Sequence, residues 1–385
     1  MAAAAAGLAL TACATTAAPH NATLTASSSA ASRTAKTPSP KPTPTATRTI
    51  KAAAQALPAA GNPNGHAFVP RVARAVNTSH PNHVIGNGTP ASCTSAAVVR
   101  AVAKGGVITF NCGPKPVTIT MNATAKVVNT SHRVVLDGGN RVTLSGGGKH
   151  QILYMNTCDK KQIWTTSDCF DQEWPQLIVQ NLAFEDGYSA VRQTPSGQFG
   201  GGGGGALFAL GGQLKVVNSR FLNNRCYKSG PDLGGAAIRA LAQYRNRPVY
   251  ITRDTFSGGR CSNGGALSSI GVSWVVTNSV MTNNRAIGFG ANPAASGTAG
   301  GGSGGAIYTD GDKYKLKVVG TVIRNNRARE GGGAIFYVSN NNTGWVTIKN
   351  STLHDNPSAV FWTRPYPGIY FHSAGHPRVV NSTIS

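Results

Sequence analysis

From residue 177 onward the apolar positions recur in a fixed order. Six eight-residue segments carry the pattern: 177–184, 214–221, 249–256, 274–281, 316–323 and 346–353, spaced by 37, 35, 25, 42 and 30 residues. In each, positions one, three and eight are apolar. The first column reads Leu177, Leu214, Val249, Trp274, Leu316, Val346; the third reads Val179, Val216, Ile251, Val276, Val318, Ile348; the eighth reads Phe184, Phe221, Phe256, Met281, Ile323, Leu353. Alternation over positions one to three is the period of a strand. A second strand in each repeat opens on Gly-Gly-Ala, at Gly204-Gly205-Ala206, Gly264-Gly265-Ala266, Gly304-Gly305-Ala306 and Gly332-Gly333-Ala334, with Gly234-Gly235-Ala236-Ala237 as a variant carrying one extra Ala.

Antiparallel hairpins do not account for like residues returning to like slots at such intervals. Stacked parallel coils do, because one coil cannot bury its apolar face alone and each new coil supplies the cover. Asn223-Asn224, Asn283-Asn284 and Asn325-Asn326 fall just past the eighth position, where their amides are expected to stack at about 4.8 Å. Cys226 lies five residues after Phe221 and Cys261 five after Phe256. Two cysteines in one slot of adjacent coils sit within disulfide reach.

Upstream, residues 94–104 read as a short helix with Thr94 or Ser95 as N-cap and Gly105-Gly106 as its stop. Strand patterns follow at 107–110 and 117–120. The helix is expected to close one end of the solenoid, held by Cys93–Cys112. The folded body is expected to begin near His83, giving three parts: a segment 1–13, a linker 14–82 and a solenoid 83–385. Asn381-Ser382-Thr383-Ile384 repeats Asn350-Ser351-Thr352-Leu353, so the chain stops inside a fresh coil; the solenoid is expected to continue there or to meet another chain.

The Gly-Gly-Ala-Ile-Tyr…Val-Val…Phe-x-Asn-Asn repeat resembles that of polymorphic outer-membrane-protein-like β-helices. The cap followed by Val134-Val135-Leu136-Asp137-Gly138-Gly139 is similar to the pectin-lyase-like superfamily. The resemblance covers roughly residues 90–385 and implies an all-β, right-handed parallel β-helix. It implies little about activity, since that superfamily holds lyases, hydrolases, epimerases, adhesins and passive surface proteins. None of its catalytic motifs matches here residue by residue.

The N-terminal apolar run ends on Leu10-Thr11-Ala12-Cys13, which resembles the lipobox of bacterial lipoproteins and marks Cys13 for lipidation. A run this short reads as an export signal and not a spanning helix, so a membrane would be reached only through the lipid. Residues 14–66 are Ala, Thr, Ser and Pro without apolar periodicity, as in a semi-extended tether. Six cysteines remain, an even number in an exported chain. Proximity pairs them as Cys93–Cys112, Cys158–Cys169 and Cys226–Cys261. No spacing matches a zinc site.

Thirty-six Lys and Arg face 13 Asp and Glu, a net charge of +23. Such a surface attracts polyanions with salt-sensitive affinity. Acidic polysaccharide and anionic wall polymer fit an exported chain; no feature indicates specific nucleic-acid recognition. The charge is patterned: Arg225, Arg260, Arg285 and Arg327 each follow the eighth position by four residues. They form either a basic stripe for a polyanion or a set of side chains bonding carbonyls of neighbouring coils. Between that arginine and the next Gly-Gly-Ala stand eight, three or eighteen residues after Arg225, Arg260 and Arg285. Insertions at one corner mark a binding face or plain decoration.

The position after each Gly-Gly-Ala-x is expected to face outward: Phe208, Arg239, Ser268, Tyr308, Phe336. An aromatic and cationic strip there suits sugar stacking, with Tyr308 among the binding residues. Asp310 and Asp312 stand beside it; carboxylates at this spacing can hold Ca²⁺ or perform acid–base chemistry, and Asp-Gly-Asp is equally an ordinary turn. Glu185-Asp186 and Arg329-Glu330 are lesser candidates. Lyases of that superfamily combine Ca²⁺, carboxylates and a basic residue that takes a proton α to a uronate carboxylate; Arg239 or Lys313 would be that base here, and no motif establishes it. With 13 acids in the whole chain, a hydrolase of clustered carboxylates is hard to assemble. His354-Asp355 and His372 read as structural. Two expectations stand together: an acidic-polysaccharide lyase, or a non-catalytic surface protein that binds an anionic wall polymer.

Overall fold

The computed structural model describes residues 56–190, 202–290 and 296–385. Cys13, the 1–13 segment and the linker up to residue 55 lie outside the described residues. Among those described, the strands form four sheets of ten, nine, eight and five strands, and every strand pair in them is parallel. The chain is a right-handed parallel β-helix. One coil runs from the ten-stranded sheet (Gln213–Val217) to the nine-stranded sheet (Arg220–Leu222) and across a two-residue bridge (Arg225–Cys226). It then crosses to the eight-stranded sheet (Ile238–Leu241) and returns (Val249–Thr252).

The apolar columns pair as the spacing predicts. Leu177 lies beside Leu214, Val249 beside Trp274, then Leu316 and Val346. Phe184, Phe221 and Phe256 stack at 5.0 and 4.8 Å between ring centroids. All three are at most 1% exposed, so each contributes on the order of 1.5–3 kcal/mol by burial. Trp274 is fully enclosed and satisfies its indole by donating to Ser269 Oγ at 2.8 Å. Ile238 pairs with both Leu207 and Leu267, which resolves the extra alanine: Ala236 stands where the other coils have their second glycine. At Gly205 a Cβ would lie 2.1 Å from the Arg225 carbonyl oxygen, so that slot normally excludes a side chain.

Two polar ladders line the corners. The second Asn of each pair turns inward: Asn284 Nδ2 donates to Asn326 Oδ1 and Asn326 Nδ2 to Asn356 Oδ1, both at 2.9 Å. The other ladder occupies the sixth position of the eight-residue segment. Ser279 N–H donates to Thr321 Oγ1, Thr321 N–H to Ser351 Oγ and Ser351 N–H to Ser382 Oγ. One member is a carboxylate: Asp254 accepts from Ser219 N–H at 2.6 Å and Thr252 N–H at 2.8 Å with no exposure to solvent. Just before this ladder the backbone turns through a left-handed residue, Asn181, Asn218, Arg253, Asn278, Gly320, Asn350 and Asn381, with φ between 47° and 61°. Asn and Gly tolerate this region; Arg253 is the exception in the column.

The helix Ser95–Lys104 closes the N-terminal end, capped by Thr94 Oγ1, which accepts from Ala97 N–H, and ended by Gly105 at φ 73°. Val98 and Val102 join the core. The disulfides are Cys93–Cys112, Cys158–Cys169 and Cys226–Cys261, with Cα separations of 5.7, 5.1 and 4.7 Å. Three disulfides point to an oxidising, extracytoplasmic compartment.

Residues 56–82, grouped with the linker by composition, form a strap laid across the coil corners. Leu57 N–H donates to Asn140 O, Asn62 N–H to Asn278 O and Asn62 Nδ2 to Gly320 O. The strap then turns back. Asn278 exchanges two side-chain bonds with the Ala67 backbone, Lys215 Nζ donates to Val72 O and Arg74 O, and Gln180 brackets Val76. Thr78 Oγ1 bonds Asp137 Oδ2, and the strand His83–Ile85 joins the ten-stranded sheet. The strap needs no apolar periodicity because it docks mainly through polar bonds, most of them made by its backbone.

Candidate polyanion-binding surface

The bridge strands place the arginine column in register: Tyr188 beside Arg225, Arg225 beside Arg260, Arg260 beside Arg285 and Arg285 beside Arg327. Their backbone alternates, so the following residues Cys226, Cys261, Ala286 and Ala328 are buried and the arginines are exposed. Among the described residues, none accepts a hydrogen bond from these guanidiniums, and the one ion pair within 4.0 Å is His354–Asp355. Among the described residues, the column thus makes no bond to the carbonyls of neighbouring coils. Unit charges at a 4.8 Å repeat repel by roughly 0.9 kcal/mol per neighbouring pair in a water-like dielectric, less once the heads splay and salt screens them. A bound anion relieves that repulsion.

At its Tyr188 end the stripe opens into a cleft of about 790 Å³ lined by Lys126, Lys149, His150, Lys160, Lys161 and Trp164, with Tyr154 and Tyr188 in its wall. Arg225 joins the two features, since its Nη2 lies 3.3 Å from where a Cβ on Gly148 would sit. Lys126 Nζ stands 5.7 Å from the Tyr154 ring centroid and Lys160 Nζ 5.5 Å from that of Trp164. The acid lining the cleft, Asp159, already accepts from Tyr154 OH at 3.1 Å and from Lys161 N–H at 3.0 Å. Burial, with the neighbouring Asp159 charge, pushes the Tyr154 phenol well above its ordinary value, so it stays a neutral donor. Trp164, 45% exposed, with the lysines around it gives separate footholds for an acid group and for the apolar face of a sugar ring, whereas the Tyr154 ring is buried against Phe208.

The expected outward strip is not open. Phe208, Arg239, Ser268, Tyr308 and Phe336 all point out of the eight-stranded sheet, yet none exceeds 6% exposure. Residues of several loops cover this face, Asp232 over Arg239 among them. At one end Cys158–Cys169 packs with Tyr154, Phe208, Leu210 and Leu241 in a second small core. At the other, Phe361 meets Phe336 and Tyr370 edge-on. Tyr308 stacks on Phe336 at 4.9 Å, so neither ring is free for a sugar. Arg239 donates to Ser268 Oγ and Asp232 O, and burial lowers its guanidinium to about 10. Tyr308 OH donates to Asp310 Oδ2 at 3.3 Å, and Asp310 is also held by Gly311 N–H and Asn340 Nδ2. Burial pushes the Asp310 carboxyl up. Arg239, Tyr308 and Asp310 thus share one electrostatic neighbourhood. Asp312 is exposed, and Lys313 lines a different groove on the ten-stranded sheet. The four proposed catalytic residues do not form one open site.

Other candidates have local roles. Glu330 Oε1 accepts from Gly290 N–H at 2.8 Å, Arg329 lies 4.7 Å from the Phe289 ring centroid, and Asp186 takes a left-handed corner at φ 50°. Among the described residues, no three His, Cys, Asp or Glu side chains gather closely enough to hold a metal ion. The cleft was missed in the sequence because Lys126, Lys149 and Lys160 come from three separated segments outside the clear repeats. Clustered Lys149-His150 and Lys160-Lys161 were its visible trace.

A family model described as right handed beta helix region matches residues 204–384, the stretch that carries the Gly-Gly-Ala coils. Neither the curated proteins nor the solved structures include a match to the chain. A right-handed β-helix is consistent with a polysaccharide-related or surface protein and specifies no substrate.

Proposed function

We propose that this protein binds an acidic polysaccharide at the extracytoplasmic surface, laying the chain along Arg327, Arg285, Arg260 and Arg225 and ending it in the lysine cleft. The observation that carries the reading is the exposed arginine column, in register over four coils and without a hydrogen-bond acceptor or acid among the described residues. Charge that serves no internal contact is charge available to a ligand. Binding without cleavage is the form favoured here, because Arg239 is enclosed and Lys313 lines the groove on the ten-stranded sheet, which Asp310 does not line. A lipid on Cys13 would hold the body at a membrane, and Ca²⁺ has no assigned place in this reading.

The test is titration of polygalacturonate against the protein at several salt concentrations. The wild type should bind with affinity that falls steeply with salt. Changing the four stripe arginines to Gln should flatten the log–log slope by up to about one unit for each arginine replaced. Unchanged affinity and slope in a folded quadruple variant would remove the stripe from the reading. Ultraviolet absorbance of unsaturated uronate ends in the same mixtures would replace binding with lyase action.

A further inference from the structure

The outer face of the ten-stranded sheet lies across the solenoid from the arginine stripe, since a coil passes through the nine-stranded sheet before reaching the bridge and through the eight-stranded sheet before returning. This face carries its own groove, of about 420 Å³, lined by Lys313, Lys315, Lys317 and Trp345 with Asn246 and Pro248 at its rim. Trp345 pairs with Lys315 across adjacent strands and keeps 46% of its surface exposed. Lys315 Nζ stands 4.2 Å from its ring centroid. The rim continues the charge: Arg245 and Arg247 lie 5.1 and 5.4 Å from the Tyr244 ring centroid. No acid lines the groove; Asp312 stands next to Lys313 in sequence, and Asp171 accepts from Arg245 N–H at the rim.

We infer that this groove is a second site for the same class of ligand, an anionic polysaccharide segment, and that the protein cross-links two polymer chains through opposite faces. The inference rests on the polymer-binding reading above and adds valency to it. Ammonium groups against an exposed indole supply the pairing that an acidic sugar needs: cations for its carboxylate and an aromatic face for its ring. Two faces that point apart cannot wrap one short segment, so a long polymer engages one protein through one face and a second chain through the other. Linking two modest sites on one rigid body raises the strength of the network by effective concentration without any added interaction.

Light scattering of full-length protein mixed with long polygalacturonate tests this. Wild type should drive a concentration-dependent rise in scattering, with a maximum near equivalence and clearing at excess polymer. The variant Lys315→Gln/Lys317→Gln/Trp345→Ala should bind polymer with its stripe-dependent salt slope intact and lose at least about 90% of the scattering. A charge-matched control, Lys104→Gln/Lys115→Gln, should cross-link like wild type. Binding by wild type without any rise in scattering overturns the second site and leaves the stripe reading in place. Scattering that survives in the groove variant also overturns it and assigns cross-linking to association between protein copies. A wild type that binds no polymer sinks both readings together.

Discussion

Asp254 is the one carboxylate in a ladder otherwise built of hydroxyls, and replacing it by the ladder's own residue is a sharp perturbation. The Asp254→Ser variant removes a group with no solvent exposure whose carboxylate accepts from Ser219 and Thr252 N–H. Sequestering a carboxylate costs several kcal/mol after relaxation. Losing two charge-assisted hydrogen bonds gives back about 1.5–3 kcal/mol each, and a serine recovers about 1 kcal/mol for each bond it makes. Ser279 and Ser351 show that geometry, accepting from the previous coil and donating to the carbonyl two residues earlier. The balance favours serine by about 1–3 kcal/mol at pH 8. Burial holds the Asp254 carboxyl well above its ordinary value, so at pH values between the unfolded and the folded value the folded state binds a proton that the unfolded chain has released. The stabilising effect of that proton is complete below about pH 4, where an unfolded Asp is also protonated, and is lost as pH rises through the folded value. The advantage of Asp254→Ser should therefore be largest at pH 8 and shrink towards pH 5. Equilibrium urea titrations at both pH values read it. A variant less stable than wild type at pH 8, or an equal difference at both, would refute the reasoning.

Arg253→Asn places the column's usual residue at φ 57° and should stabilise the protein by about 1 kcal/mol, seen as a shift in urea midpoint with unchanged slope. Asn326→Ala deletes a fully buried amide that serves Asn284, Asn356, Met281 and Arg324, and should cost roughly 3 kcal/mol or more by the same titration. Cys226→Ser/Cys261→Ser opens a loop of sequence separation 35 and should cost about 3–4 kcal/mol relative to the oxidised wild type, a gap that reductant should close.

The coil register was legible because each column repeats one physical demand, and Phe184, Phe221 and Phe256 could not be misaligned without breaking the others. Cys226–Cys261 followed from the same slots, and the other two pairs from their proximity in sequence. The corner and hydroxyl ladders were present in positions five and six of the same segments, as Asn181, Asn218, Asn278 and Ser219, Ser279, Ser351, but went unread because polar columns carry no hydropathy signal. Burial of Phe208 and Tyr308 was not legible at all. Alternation says that a side chain leaves the sheet; it does not say whether a distant insertion returns to cover it. The spacing of the arginines placed them in one register, and their exposure, without an acceptor among the described residues, needed the three-dimensional arrangement.

The strap turns coil number into a counted quantity. Its two legs run between the coil of Asn140 and that of Gly320 and are pinned at both ends. Duplicating a coil inside that span would lengthen the stack by about 4.8 Å, which each leg could match only by gaining roughly one and a half extended residues. A solenoid is usually free to grow by copying its unit; here a copied coil and a longer strap would have to arise together. Growth is unconstrained only past Gly320, around the corners of Asn350 and Asn381, which the strap does not touch among the described residues. Changes in the length of this fold over evolutionary time should accumulate at that end, leaving the strapped coils, with the arginine stripe's first three members, at a fixed spacing.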